Sequence, residues 1–174
     1  MPPRLAHVVL QTENIPRLRD WYNEVLGAHV VFEDEKIAFI TYDHEHHRVA
    51  FLSAGMLREI LGQDGQSAPA PSGIVTAGLN HFAYALNGMQ ELFDNYDRLK
   101  ALGHLPYWCI DHGPSTAMYY HDPDGNSVEF QVDNFPTSEE CTAYLRSPSF
   151  AQNPIGIEYD PEVKRKELRT GKRT

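Results

Sequence analysis

Three side chains able to bind a metal ion stand in short segments that otherwise have the composition of β-strands. His7 lies in LAHVVLQT, His81 lies in LNHFAYAL, and Glu129 lies in a third such segment. A single strand histidine is usually a packed or surface residue, and a strand glutamate usually faces water. Because the two histidines occupy the same place in two similar segments, we consider the three residues together as candidate ligands of one metal ion.

This set of ligands has a definite chemistry. Two neutral imidazoles and one carboxylate form the facial triad typical of non-haem Fe(II) oxygenases, and the triad leaves about three coordination positions open. Mn(II) suits the same donor atoms. Fe(II) with one carboxylate keeps a net charge of about +1, which favours an anionic chelating substrate.

The elements that would position these residues occur twice in the same order. Runs of β-forming residues around one helical pattern predict β-α-β-β-β in each half of the chain. In the first helix, Asn14 is the predicted N-cap and Gly27 the predicted end. A single domain of residues 1–174 is thus predicted to contain a first module at 4–54, a connector at 55–78, a second module at 79–134, and a tail at 135–174. We expect one short helix in the tail, at 138–146, and a mobile charged end.

The two modules align residue by residue. In this alignment, His7 corresponds to His81, and Ala50 corresponds to Glu129. If the modules pair about a pseudo-twofold axis, matching positions converge on one cavity. The predicted fold class is therefore α+β, with two paired βαβββ modules forming a curved mixed sheet around a metal cavity. Ala50 has no ligating atom, so the site would stay open, as catalytic metal sites do.

The composition argues against several classes of partner. The chain has 174 residues and a formal net charge of −9, which disfavours nucleic acid and anionic membranes. It has neither an apolar run long enough to span a membrane nor a signal segment, so a cytoplasmic protein is expected. Cys109 and Cys141 are far apart and are predicted to be buried or free thiols. A homo-oligomer is also expected.

Two segments carry a resemblance to a known family. The stretch IDHGPSTAMYYHDPDGNSVE resembles the signature of the type I extradiol ring-cleaving dioxygenases, in the vicinal oxygen chelate (glyoxalase/bleomycin resistance/dioxygenase) superfamily. His112, Tyr119 and Glu129 stand at its histidine, tyrosine and glutamate-ligand positions. HHRVAF is similar to a second family segment, whose second histidine is the active-site acid/base. The chain holds only the catalytic pair of modules, as in the small single-domain members.

The resemblance implies an Fe(II)-dependent extradiol dioxygenase. Such an enzyme cleaves a catechol-type ring, resembling 2,3-dihydroxybiphenyl or catechol, with dioxygen as the second substrate. The implied roles are metal ligands for His7, His81 and Glu129, general acid/base for His47, and hydrogen-bonding groups beside the substrate for Tyr119 and His112. Mn(II) is the alternative metal.

Structural explanations compete with these roles. His47 lies in the polar stretch DHEHHR, which also suits a solvated turn, and its neighbours His44 and His46 are expected to be solvated. Tyr119 fits plain strand packing, and His121 shares its face, so the two exchange places if the register slips. Asp122 is predicted only to form a turn. Three aromatic residues fit a substrate pocket and a packed core equally: Tyr107, Trp108 and Phe82.

Two other functions stay open. A glyoxalase-type metal isomerase of the same superfamily would normally use a fourth protein ligand, and Ala50 disfavours it. A non-catalytic ligand-binding protein of the superfamily would lack the triad that this chain retains. The segment between His47 and His81 is longer than the family pattern. This difference leaves the identity of the substrate undecided but does not affect the predicted metal site.

Overall fold

The computed structural model describes residues 5–55, 58 and 79–170, and the chain divides into two compact units. The first unit runs to Leu79 and also includes Asp122–Gly125, and the second comprises Asn80–His121 and the residues from Asn126 onward. The predicted connector at 55–78 lies outside the described residues, apart from positions 55 and 58. A single domain remains a prediction.

The first unit contains the β-α-β-β-β order predicted from the sequence. Its elements are β1 (Val8–Thr12), α1 (Ile15–Leu26), β2 (His29–Glu33), β3 (Ile37–Thr41) and β4 (Val49–Ser53). The strands form one sheet in the order β1-β4-β3-β2. Strand β1 runs parallel to β4, whereas the other pairs are antiparallel, so the sheet is mixed.

Helix α1 begins and ends as its sequence predicts. The side chain of Asn14 accepts a hydrogen bond from the backbone N–H of Arg17 at 3.1 Å, which satisfies one of the free donors at the helix start. Gly27 ends the helix with a φ of +65°, a conformation that costs glycine little. One face of the helix is buried, through Ile15, Leu18, Trp21, Tyr22 and Val25.

The second unit repeats the same arrangement. Its elements are β5 (His81–Ala85), α2 (Met89–Ala101), β6 (Trp108–Asp111), β7 (Ser115–His121) and β8 (Ser127–Asp133). The sheet order is β5-β8-β7-β6, with a further edge strand, β9 (Ile157–Glu158), beside β6. Leu102 follows the last residue of α2 and is 48% exposed.

The strand registers agree with the alignment of the two modules. In the first unit, Val9 lies opposite Ala50 on the parallel strands β1 and β4. In the second, Ala83 lies opposite Glu129 on β5 and β8. Ala50 and Glu129 therefore occupy equivalent positions in two equivalent sheets. Glu129 is buried, so it is not a solvated strand residue.

The tail is more ordered than its sequence predicts. It contains α3 (Ser138–Leu145), α4 (Pro148–Gln152), β9 and α5 (Pro161–Thr170). Only the first of these was predicted, at 138–146. The sequence did not indicate β9 because it has two residues, or α5 because it is highly charged. Arg165 holds α5 to α2 through Asp94 at 2.9 Å and Asp97 at 2.5 Å. None of the described helices is long and apolar enough to cross a membrane.

Asp122 does more than form the turn predicted from its sequence. Its carboxylate accepts a hydrogen bond from the backbone N–H of Asp124 at 3.0 Å, as a turn aspartate does. It also accepts one from the hydroxyl of Tyr22 on α1 at 3.1 Å, and both side chains are buried. The turn is thereby joined to the helix within the first unit, and Arg17 adds an ion pair with Asp124.

Replacing Tyr22 with phenylalanine should lower the free energy of unfolding by about 1 to 3 kcal/mol, because a buried carboxylate loses a donor. The Asp122→Asn variant should cost a similar amount, and the double variant should cost less than the sum. Denaturant titration of all four proteins measures this coupling. Strictly additive effects would show that the 3.1 Å bond contributes nothing to stability.

Candidate active site

His81 and Glu129 form a close pair on neighbouring parallel strands. Nε2 of His81 lies 2.9 Å from Oε2 of Glu129. On the other side of the imidazole, Nδ1 lies 2.7 Å from the amide oxygen of Asn80. Because that oxygen can only accept, Nδ1 carries the proton, and in the neutral ring Nε2 keeps its lone pair. A hydrogen bond of this kind orients a histidine for metal binding.

The pair has the chemistry expected of two metal ligands. A buried carboxylate facing a nitrogen lone pair requires a proton or a cation between them. Their 2.9 Å separation is about the ~3 Å spacing of adjacent donors around an octahedral ion with bonds of roughly 2.1 Å. His7, the third predicted ligand, belongs to the first unit. Across 5–55, 58 and 79–170, no three or more His, Cys, Asp or Glu side chains form a group able to hold a metal ion.

Tyr119 lies directly beside this pair. It stands opposite Glu129 in the register of β7 and β8, and its ring meets that of His81 edge-on at 5.4 Å between centroids. Burial raises the pKa of the Tyr119 phenol, and the negative charge and hydrogen bond of Glu129 raise it further. Tyr119 therefore stays neutral and keeps its proton for hydrogen bonding.

His112 extends the hydrogen-bonded chain. Its Nε2 lies 3.0 Å from the Tyr119 hydroxyl, and its Nδ1 lies 2.6 Å from the carbonyl oxygen of Ile155. His81, Glu129, Tyr119 and His112 are thus linked in sequence within the second unit. Because the phenol has one proton, it donates at any moment either to Glu129 or to His112.

The register decides between Tyr119 and His121 as the neighbour of the glutamate. Tyr119 lies opposite Glu129, whereas His121 lies opposite Ser127. The imidazole of His121 is instead stacked on the ring of Tyr107, with 3.9 Å between centroids. Of the two residues that the alternation left interchangeable, Tyr119 therefore adjoins the glutamate.

Apolar side chains surround the tyrosine. The ring of Trp108 lies 5.0 Å from that of Tyr119, and Ile110 and Ala117 complete a buried cluster with it. Strand alternation places these residues on the face of the sheet that carries Glu129. Phe82 lies opposite Val128 in the register, so it belongs to the other face. Of the three aromatic residues considered from the sequence, Trp108 and Tyr107 contact Tyr119.

In the first unit, His47 is packed rather than fully solvated. Its ring is stacked on Phe39 at 4.6 Å and lies 4.3 Å from the ring of His7. Its Nδ1 lies 2.5 Å from Nδ1 of His46, so Nε2 is the atom left for other partners. Burial lowers the pKa of His47, and the nearby His7 and His46 lower it further. His44 and His46 are exposed, as predicted.

The tail contributes to this region in a way the sequence did not indicate. A cavity of about 860 Å³ lies where β6 ends, with His112, Gly156 and Lys164 among its lining residues. A second cavity, of about 350 Å³, is bordered by Trp108 and Glu158. No sequence pattern marks these tail residues, because β9 is only two residues long and the Ile155 contact uses a backbone carbonyl.

Comparison with known proteins identifies the family of this chain. The family model of the Glyoxalase/Bleomycin resistance protein/Dioxygenase superfamily matches residues 4–130, and the chain belongs to that superfamily. It is 46% identical to biphenyl-2,3-diol 1,2-dioxygenase 2 of Rhodococcus globerulus over 91% of this chain and 78% of that protein. It is 42% identical to biphenyl-2,3-diol 1,2-dioxygenase 3 of the same organism, over the same shares.

Solved structures support the fold. A glyoxalase/bleomycin resistance protein/dioxygenase from Nocardioides superposes with a TM-score of 0.60 at 20% identity, covering 79% of this chain and 87% of that one. The α+β fold class and the resemblance to ring-cleaving dioxygenases, both expected from the sequence, are confirmed.

Proposed function

We propose that the protein is an Fe(II)-dependent extradiol dioxygenase that opens a catechol-type ring with dioxygen. The observation that carries the proposal is the pair of candidate ligand atoms 2.9 Å apart, His81 Nε2 and Glu129 Oε2, on neighbouring strands beside a neutral tyrosine. The similarity to two biphenyl-2,3-diol dioxygenases supports an aromatic diol as substrate, resembling 2,3-dihydroxybiphenyl or catechol.

His7, His81 and Glu129 are the proposed metal ligands. Two imidazole nitrogens and one carboxylate suit Fe(II), and Mn(II) is accepted by the same donors. When bound, the ion supplies open positions for a catechol and for dioxygen, and it carries electron density from one to the other. Ala50, at the position equivalent to Glu129, adds no ligand and so keeps these positions open. It also disfavours an isomerase with four protein ligands.

The remaining residues position the substrate and move its protons. His47 Nε2 takes a proton from a catechol hydroxyl and later returns it, a role that suits histidine, the side chain whose charge ordinarily changes nearest neutral pH. The Tyr119 hydroxyl forms a hydrogen bond with a substrate oxygen, and His112 orients that hydroxyl. Trp108, which borders a cavity beside Tyr119, presents apolar surface to the aromatic ring and excludes water from it.

Reconstitution under anaerobic conditions tests the proposal. The protein is loaded with Fe(II) and then given 2,3-dihydroxybiphenyl, catechol or L-DOPA in air. We expect a yellow ring-fission product and one dioxygen consumed for each diol. Tight binding of the diols with no iron retention and no turnover would instead identify a non-catalytic binding protein.

Tyr119→Phe should reduce kcat/KM for the diol by about 10- to 100-fold, the usual cost of losing a group that orients ligands or substrate. The ring still packs, so the fold should persist. Tyr120→Phe is the matched control, since Tyr120 is the next residue of β7, is buried, and faces the opposite side of the sheet. Steady-state kinetics of both variants, with iron content measured, makes the comparison. An equal loss of kcat/KM in the two variants would contradict the role assigned to Tyr119.

A further inference from the structure

We propose that the tail segment Ile155–Glu158 is a positioning element of the active site, which sets the tautomer of His112 and the placement of Trp108 beside Tyr119. The catalytic consequence rests on the proposed function. The positioning itself can be measured without metal or substrate.

The first contact of the segment is with His112. The carbonyl oxygen of Ile155 lies 2.6 Å from Nδ1 of the imidazole. A carbonyl can only accept, so this nitrogen carries the proton. The hydrogen bond made by one ring nitrogen of a histidine determines whether the other ring nitrogen is protonated. Nε2, 3.0 Å from the Tyr119 hydroxyl, is therefore an acceptor in the neutral ring.

The second contact is with Trp108. Its indole N–H donates to the carboxylate of Glu158 at 2.7 Å, a charge-assisted bond. The indole ring also lies 5.8 Å from that of His112. The tail thus holds two rings, and both of them lie against Tyr119.

Gly156, between the two contacts, permits the close approach. Its φ is +111°, and a Cβ there would lie 2.2 Å from the carbonyl oxygen of Asp111 and 2.7 Å from Cα of His112. Any side chain would push the segment away from β6. The side chain of Asn153 supports this conformation by bonding both the N–H and the carbonyl of Gly156, at 3.0 and 2.7 Å.

The arrangement changes what Tyr119 can do. With Nε2 of His112 as an acceptor, the phenol proton has two destinations, Glu129 and His112. When the proton points to His112, the phenol oxygen is free to accept a hydrogen bond from a substrate hydroxyl. With the opposite tautomer, His112 would donate to Tyr119 and the phenol proton would stay with Glu129. The tail therefore decides the direction of the hydrogen bond between His112 and Tyr119, and with it where the phenol proton points.

Nitrogen NMR of the His112 ring in the metal-free protein tests the first contact directly. We expect the Nδ1–H tautomer in the unmodified protein and in Ile155→Ala, which keeps the backbone carbonyl and removes only an exposed side chain. Gly156→Ala should shift the ring towards Nε2–H. An Nε2–H tautomer in the unmodified protein would overturn the proposal, and so would identical tautomers in Gly156→Ala and Ile155→Ala.

Fluorescence tests the second contact. In a Trp21→Phe background, Trp108 is the only tryptophan. Its emission should move to longer wavelength in Glu158→Ala and should stay in place in Glu158→Gln, which retains an acceptor for the indole. These variants decide the tryptophan half of the proposal even if Gly156→Ala does not fold. An unchanged spectrum in Glu158→Ala would overturn it.

Kinetics of the Fe(II)-loaded proteins link the positioning to catalysis. We expect kcat for the diol to fall by about tenfold or more in Gly156→Ala. If the unmodified protein shows the Nδ1–H tautomer but no turnover, the proposed function fails and the positioning stands. If the unmodified protein turns over the diol and Gly156→Ala has the same kcat, the positioning role fails and the proposed function stands.

Discussion

Replacing His81 with alanine should abolish iron retention and, with it, ring cleavage. The variant removes one of two donor atoms held 2.9 Å apart and leaves the buried Glu129 carboxylate without its nitrogen partner. Loss of a group that merely orients a ligand already costs about 10- to 100-fold in metal affinity. Loss of the ligand itself should weaken Fe(II) binding by more than about 100-fold, and turnover should fall to background.

Metal content after desalting and oxygen uptake with 2,3-dihydroxybiphenyl measure this effect. His104→Ala is a suitable control, because it removes an imidazole just after α2 in the same unit and should retain both iron and activity. Circular dichroism should show that both variants are folded. If His81→Ala bound Fe(II) as tightly as the unmodified protein, His81 would not be a ligand and the assigned metal site would be wrong.

His47→Ala should have the opposite pattern, with iron retained and turnover lost. His47 is not among the proposed ligands, and its ring is held by stacking on Phe39 and by the adjacent ring of His7. General acid–base catalysis typically contributes about 10²- to 10⁴-fold to the rate. We therefore expect kcat to fall within that range while the iron content stays near one per chain.

The neighbouring histidine offers a matched control for this variant. His44 lies in the same polar segment and is exposed, so His44→Ala should leave kcat and iron content unchanged. Normal turnover in His47→Ala would remove the acid/base assignment. Loss of iron from His47→Ala would show that this residue supports the metal site rather than proton transfer.

The order of elements in both units was predictable because local rules decide it. Strand and helix periodicities, the Asn14 cap and the Gly27 end all depend on residues within a few positions of one another. The internal repeat carried the prediction further, because two copies of one pattern fold alike. It correctly paired Ala50 with Glu129 as equivalent positions before any register was known.

The candidate site was predictable only in part. Residue types and motif spacing predicted roles for His81, Glu129, Tyr119 and His112 by resemblance to a family, and the structure shows that these four side chains are linked. Residue types and spacing left Tyr119 and His121 interchangeable, since both lie on the same face of β7. The choice depends on which residue of β8 each one meets, and only the pairing of the strands decides that.

What the sequence determined by itself was therefore local structure, the repeat and the chemical nature of the candidate ligands. What only the tertiary structure decided was contact between residues far apart in the chain. Asp122 receives a hydrogen bond from Tyr22, 100 residues away, and so is more than a turn residue. The tail reaches His112 through the carbonyl of Ile155. Every residue has a backbone carbonyl, so no side-chain pattern can reveal such a contact, and folding alone brings it into place.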